Sequence, residues 1–201
     1  MHALVVTYTA QAGRLDEVIR HSREVTVPAA REFGGMLGRH LLVDRDTHRV
    51  VAISYYERED DARTVVAHPA YLKSRASRLF AAGEVESRIY EVAYFSPVAD
   101  WDRARWARLS SYQVQPGRMA ERVRYAEGIE EVARAVPGRV GAYVLVDRAT
   151  DHSLVLSLWS GEQEMHASEG HEAYRRSRSQ HHFAAGDVTD EHYEVAHKID
   201  Q

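Results

Sequence analysis

Leu42-Val43-Asp44-Arg45 and Leu145-Val146-Asp147-Arg148 are the same four residues at an interval of 103. The interval holds on the C-terminal side. His68-Pro69-Ala70-Tyr71-Leu72-Lys73-Ser74-Arg75 returns as His171-Glu172-Ala173-Tyr174-Arg175-Arg176-Ser177-Arg178. Phe80-Ala81-Ala82-Gly83-Glu84-Val85 returns as Phe183-Ala184-Ala185-Gly186-Asp187-Val188, and Tyr90-Glu91-Val92-Ala93 as Tyr193-Glu194-Val195-Ala196. Toward the start, Gly13-Arg14-Leu15 matches Gly117-Arg118-Met119 at an interval of 104, so the second copy is one residue shorter in between. Chance does not keep four blocks in register. The chain reads as a tandem duplication, with modules at 1–96 and 106–201 and a linker at 97–105.

Each copy carries the same local signals. Residues 3–9 alternate as a strand, and Gly13 ends it. Leu15, Val18 and Ile19 then have helical spacing, with Pro28 and Gly34-Gly35 expected to interrupt or end the helix. Apolar stretches at 37–44 and 49–57 flank Asp44-Arg45-Asp46-Thr47-His48, a hairpin with a short polar turn. Residues 59–67 and 69–82 read as helices, Pro69 suiting a first helical turn, and 86–95 as a final strand. The second copy gives strands at 107–113, 139–147, 153–159 and 189–198, with helices at 118–135, 162–169 and 172–185. The order is β-α-β-β-α-β, the ferredoxin-like split pattern. A sheet with helices on one face leaves the other bare, so the expected α+β architecture packs the two antiparallel sheets face to face as a pseudo-dimer within one chain. Further association between chains is then optional.

Composition narrows the function classes. The net charge of -4 is spread among interspersed acids and bases, which offers no footprint for nucleic acid or an anionic membrane. No apolar run is long enough to span a bilayer, and the start lacks a basic n-region, so a cytoplasmic protein without a signal peptide is expected. Cysteine is absent, which removes disulfides, zinc thiolates, iron–sulfur clusters and Cys nucleophiles. Asparagine is absent too, and lysine occurs only at 73 and 198, so mechanisms needing an Asn side chain or a pocket Schiff base have little to draw on.

An aromatic closing the third strand (Tyr56, Trp159), an acidic helix after it and a His-x-Ala-Tyr segment opening the next helix recur in both copies. In these features the modules resemble the antibiotic-biosynthesis monooxygenase domain of the dimeric α+β barrel superfamily. The resemblance implies a pocket inside each module, between a sheet and its own helices. The superfamily includes cofactor-independent oxygenases of anthrone-like aromatic polyketides, heme-degrading monooxygenases, cyclases and isomerases. The heme-degrading pattern requires an Asn, a Trp and a heme-ligating His. Their positions fall on no Asn at all, on Val65 and Ser168, and on Arg75 and Arg178, so that chemistry is rejected. The cofactor-independent oxygenases match better at Trp159. Their Asn is replaced by Ala52 and Val155, and their helix tyrosine by Ala62 and Met165.

Oxygenation without metal or flavin requires a base, donors beside the developing anion and a wall that excludes water. His68 and His171, equivalent residues at helix starts, are the expected bases; the alternative is that each imidazole caps its helix. Arg75 and Arg178 lie further along the same helical face and are the expected partners of an enolate or carboxylate. Tyr8, Tyr56, Tyr71, Tyr112, Trp159 and Tyr174 are the expected substrate-binding aromatics. No cofactor and no metal site is expected: His166 and His171 are five residues apart, and neither that pair nor His181-His182 has the i, i+4 spacing of a helical ligand pair. The copies differ where His40 matches Tyr143 and Tyr94 matches His197, which predicts unequal pockets. The expected function is a cofactor-independent monooxygenase acting on a small aromatic, polyketide-like molecule. A non-catalytic ligand-binding protein, or a cyclase or isomerase using the same pocket, is the alternative.

Overall fold

The short polar turns set the frame. Asp44 Oδ1 accepts from the backbone N–H of Asp46 (2.9 Å) and Thr47 (3.2 Å), and Asp147 Oδ1 does the same for Ala149 (2.9 Å) and Thr150 (3.4 Å). A Thr hydroxyl donates to the other carboxylate oxygen in each turn. His48 and Asp151, 103 residues apart, both take the left-handed conformation that closes the turn (φ 59° and 52°). These turns join strands β2 (Met36–Val43) to β3 (Arg49–Tyr56) and β6 (Arg139–Asp147) to β7 (His152–Trp159).

The computed structural model of the protein describes residues 1–96, 101–178 and 182–199. The remaining strands are β1 (His2–Thr9), β4 (Glu86–Phe95), β5 (Trp106–Gln113) and β8 (Thr189–Ile199). Helices α1 (Leu15–His21) and α2 (Val27–Arg31) follow β1, and α3 (Glu59–Ala67), α4 (Pro69–Ser74) and α5 (Ala76–Phe80) follow β3. In the second half, α6 (Met119–Arg134) follows β5, and α7 (Glu162–Ala167) and α8 (Glu172–Arg178) follow β7. Part of the expected linker, 97–100, lies outside the described residues. Trp101–Arg103 form a single 3-10 turn, and the Arg105 N–H donates to the Trp159 carbonyl at 2.9 Å.

The chain divides into two units, Met1–Glu91 with the C-terminal stretch from Glu194, and Val92–Tyr193. In the first unit β1 pairs with β3 and β4, and β2 with β3 and β8, all antiparallel. In the second, β7 pairs with β5 and β6. Within the first unit the strand order is β4-β1-β3-β2-β8, and within the second β5-β7-β6. The α+β class and the β-α-β-β-α-β modules are those expected. Registers repeat as the sequence blocks do: His2 faces Tyr56 as Trp106 faces Trp159, and a bulge falls at Met36/Gly38 and again at Arg139/Gly141. The two lone bridges, Ala10 to Ala81 and Val114 to Ala184, are equivalent as well.

The one-residue difference between the copies has a location. The interval is 104 through β1, β5 and the helix starts, and 103 from β2 and β6 onward. Between these points α6 is one uninterrupted helix, whereas Ser22–Thr26 form a π turn joining α1 to α2. A π turn closes its hydrogen bond one residue later than an α turn, so it holds one additional residue without moving the helix ends. The expected interruption of this helix falls just ahead of Pro28, as the π turn at Ser22–Thr26. Pro28 sits in the first turn of α2, just past the π turn, where a missing N–H is tolerated. The helix expected over 69–82 is instead broken at Arg75, whose backbone is extended (φ -64°, ψ 126°).

Asp44 is held below the usual carboxylate range because the Thr47 and Asp46 hydrogen bonds outweigh the upward pull of partial burial. Replacing Asp44 with Ala leaves two turn N–H groups without their acceptor and is expected to cost about 1 kcal/mol. Urea unfolding of Asp44→Ala beside Asp44→Asn, which keeps one acceptor oxygen and loses less, checks it.

Candidate functional site

The first unit contains a small cavity between its sheet and its helices, about 20 Å³ in volume. Strand alternation supplies its floor: Val6 and Tyr8 from β1, Arg39 and Leu41 from β2, and Ala52 from β3. The roof comes from Ser22 and Thr26, the two ends of the π turn, and from Tyr71, Arg75, Ala76 and Ser77. Two of the eleven lining side chains are cationic and none is acidic.

Arg39 is the central group. It is 4% exposed and shares the inward face of β2 with Leu41 and Val43, which belong to the apolar core. Its terminal nitrogens donate to the Ser54 hydroxyl (2.8 Å) and the Ser22 hydroxyl (3.4 Å), and its buried Nε has no partner among the described residues. Among the described residues Arg75 donates to the Ser87 hydroxyl, at 3.0 Å. Neither arginine forms an ion pair with a carboxylate among the described residues. A buried cation without a counter-ion costs several kcal/mol relative to a paired one.

The charge acts on the neighbouring tyrosines. Burial pushes the Tyr8 hydroxyl well above its ordinary pKa, and Arg39 and Arg75 pull partly against that shift. Tyr56 is likewise raised by burial and by Tyr71 beside it, against Arg39. Both phenols stay protonated at neutral pH and can only donate to an anion. His197 on β8, paired with Leu41, is depressed to about 4 by burial and by Arg23, Arg39 and Arg31. His40, fully buried and 3.1 Å from the Tyr55 hydroxyl, is depressed to about 3 by burial and Lys198.

The second unit distributes its charges differently. Position 39 corresponds to Ala142, and the buried guanidinium comes instead from Arg108 on β5, which corresponds to Leu4. Arg108 reaches the Met165 carbonyl (2.8 Å), Glu169 (3.1 Å), His192 Nε2 (3.1 Å) and the Tyr174 hydroxyl. The residues matching Glu169, His192 and Ser168 in the first unit are Val66, Ile89 and Val65, all apolar around Leu4. Arg178 pairs with Asp190, whose other oxygen accepts from Ser110 at 2.5 Å. Burial alone would raise the Asp190 carboxyl; the Ser110 hydroxyl and Arg178 outweigh it and hold it below its usual range. A third guanidinium, Arg122 on α6, is buried against the Tyr112 hydroxyl, and its terminal nitrogens have no partner among the described residues.

The residues singled out from the sequence separate into three groups. Tyr8, Tyr71 and Arg75 line the first cavity, with Tyr56 buried beside them. Tyr112, Trp159, Tyr174 and Arg178 belong to the second unit, where Trp159 and Tyr174 meet edge to face at 5.7 Å. His68 is not among the residues that line the first cavity. It is exposed, packs at a tilt against Phe33 with ring centroids 4.2 Å apart and accepts the Ala70 N–H at 3.2 Å through Nδ1, while His171 accepts from Ala173 at the same distance. Each imidazole is thus a helix cap, the alternative weighed for it. Arg39, Arg108, Arg122 and Asp190 were missed by sequence reasoning. Their one readable signal is a charge at an inward position of an otherwise apolar strand or helix face.

Among the described residues, His166, Glu169 and His192 bring donor atoms within 4.8 Å of one another, a two-His-one-carboxylate set. Arg108 already donates to His192 and pairs with Glu169, so a guanidinium supplies the cation there. His181 lies outside the described residues.

No protein-family model matches the chain. One uncharacterized protein of Mycobacterium tuberculosis is 37% identical over 81 residues, which cover 40% of this chain and 34% of that protein. A second from the same organism is 26% identical over 159 residues, 77% of this chain and 69% of that protein. The chain thus matches only about a third of the length of the first relative. Among solved structures, a candidate monooxygenase of Fusobacterium nucleatum superposes with a TM-score of 0.79 at 14% identity, covering 100% of this chain and 94% of that one. An anthrone oxidase-like protein superposes with a TM-score of 0.74 at 16% identity, covering 98% and 92%. The fold is shared with monooxygenase-like proteins. No helix among the described residues is long and apolar enough to cross a membrane.

Two outcomes follow from the buried groups. His40 and His197 take up protons near pH 6.5 when unfolded but only near 3 and 4 when folded. Below pH 6.5 the unfolded chain therefore binds more protons, and stability falls as pH drops toward 4. Calorimetric Tm is expected to fall less steeply over that window in His197→Gln than in the parent. Arg108→Ala, which removes the cation facing Glu169 and His192 and leaves a void beside the Trp159 and Tyr174 rings, is expected to cost about 3 kcal/mol in chemical denaturation.

Proposed function

We propose that the chain is a cofactor-independent, monooxygenase-like tailoring enzyme acting on an aromatic, polyketide-like small molecule in the first unit's cavity. The observation that carries this reading is the pairing of Arg39 and Arg75 with Tyr8 around one cavity whose lining holds no carboxylate. An anthrone-type substrate loses a proton to become an enolate, and its oxyanion is stabilised by two guanidinium groups and by phenols that can only donate. The electron-rich anion then reduces O₂ directly. One oxygen atom enters the ring carbon as a carbonyl and the other leaves as water, so a CH₂ plus O₂ becomes C=O plus H₂O.

The proton acceptor in this reading is His197 rather than His68 or His171. It is neutral at pH 7, its buried Nδ1 has no partner among the described residues, and it lies across the strand pair from Leu41 in the cavity floor. Burial first and three arginines after it hold its basicity down, and an anion bound at Arg39 offsets the arginines' part as the proton moves. The similarity in fold to an anthrone oxidase-like protein supports the class of chemistry.

A second reading, a non-catalytic ligand-binding protein, is favoured by the size of the cavity. About 20 Å³ holds about one water, so an aromatic guest has to part the π turn from the sheet. Oxygen uptake with an anthrone separates the two. The parent is expected to consume O₂, with Arg39→Met and His197→Gln each slower by about tenfold or more. No uptake from any anthrone leaves the binding reading. Loss in His68→Ala with Arg39→Met still active returns the base to His68.

A further inference from the structure

The two units answer the same question about charge in opposite ways. Arg75 and Arg178 occupy equivalent places, and each reaches the facing end strand of its own unit. In the second unit that strand presents Asp190, a carboxylate held by Arg178 on one oxygen and by the Ser110 hydroxyl on the other. In the first unit the equivalent residue is Ser87, a neutral hydroxyl, and the residue matching Ser110 is Val6. Val6 faces Ser87 across the β1–β4 pair and lines the cavity. The first unit also adds Arg39, whose buried Nε has no partner among the described residues. It therefore presents two cations and no acid where the second unit supplies a carboxylate of its own.

We infer that Asp190 marks the place of a ligand group, and that the first unit binds a small aromatic carboxylate whose anion sits between Arg75 and Arg39 at the Ser87 position. The inference rests on the reading of this cavity as the ligand site and deepens it by naming the chemical class. The ring enters among Leu41, Ala52 and Ala76, and Tyr8 and Tyr71 stand beside the anion as donors. Arg75 is half-buried and Ser87 exposed, so the carboxylate is met first at the rim. A planar guanidinium fork suits a carboxylate better than a single phenolate oxygen.

Substituting Asp for Ser87 gives the first unit the second unit's own carboxylate, and the residue is exposed, so the variant is expected to fold. Benzoate and its neutral amide are the probes, titrated calorimetrically against the full chain. Benzoate is expected to bind and benzamide to bind at least tenfold more weakly. Ser87→Asp and Arg39→Met are each expected to weaken benzoate about tenfold or more, while Ser87→Asn, of the same size but uncharged, retains it. Equal binding of benzoate and benzamide overturns the inference, as does equal loss in Ser87→Asp and Ser87→Asn. If an anthrone is oxidised in an Arg39-dependent way while benzoate fails to bind, the carboxylate assignment falls and the oxygenase reading stands. Benzoate bound through Arg39 with no oxygen uptake from any anthrone gives the reverse.

Discussion

Each unit keeps a guanidinium under its helices, and the way that charge is met governs most of what distinguishes them. A buried arginine is tolerated only when its donors find acceptors, because the desolvation cost otherwise exceeds what packing returns. Arg108 meets the requirement internally, through Glu169, a backbone carbonyl, His192 and the Tyr174 hydroxyl. Arg39 meets it with two serine hydroxyls and leaves its charge uncompensated. The first arrangement is a structural hub. The second leaves a buried cation with no carboxylate partner among the described residues.

The surroundings of the two positions differ in step. Leu4, Val65, Val66 and Ile89 form an apolar set in the first unit; Arg108, Ser168, Glu169 and His192 form a polar one in the second. Neither set tolerates a single member of the other, since one charge among aliphatic neighbours has no partner and one aliphatic among polar neighbours strands theirs. The single residue that separates the two intervals has a comparable effect. It widens one helical turn and brings Ser22 and Thr26 to the cavity roof, with Ser22 in reach of Arg39. In the second unit the same helix runs unbroken.

Much of the fold was legible in the repeated blocks. Leu-Val-Asp-Arg marks the turn because Asp side chains accept from the N–H groups two and three residues on, a local effect that needs no tertiary partner. Strand boundaries followed from alternation, and the β-α-β-β-α-β order followed from the boundaries. The site was only partly legible. Tyr8, Tyr71 and Arg75 were singled out for their repeated positions, and they do line the cavity. His68 and His171 were singled out for the same reason, yet their repetition reflects a capping role that any helix start can demand.

The sequence by itself determined the repeat, the strand and helix order, and the α+β class, because these depend on spacing and on near-neighbour hydrogen bonds. Only the tertiary structure decided which arginines are buried and what faces them. Arg39 and Arg108 come from different strands of their modules, and their partners lie 15 to 84 residues away along the chain. Whether a buried charge is neutralised or left for a ligand depends on the acids within a few ångströms in space, and spacing along the chain does not encode that distance.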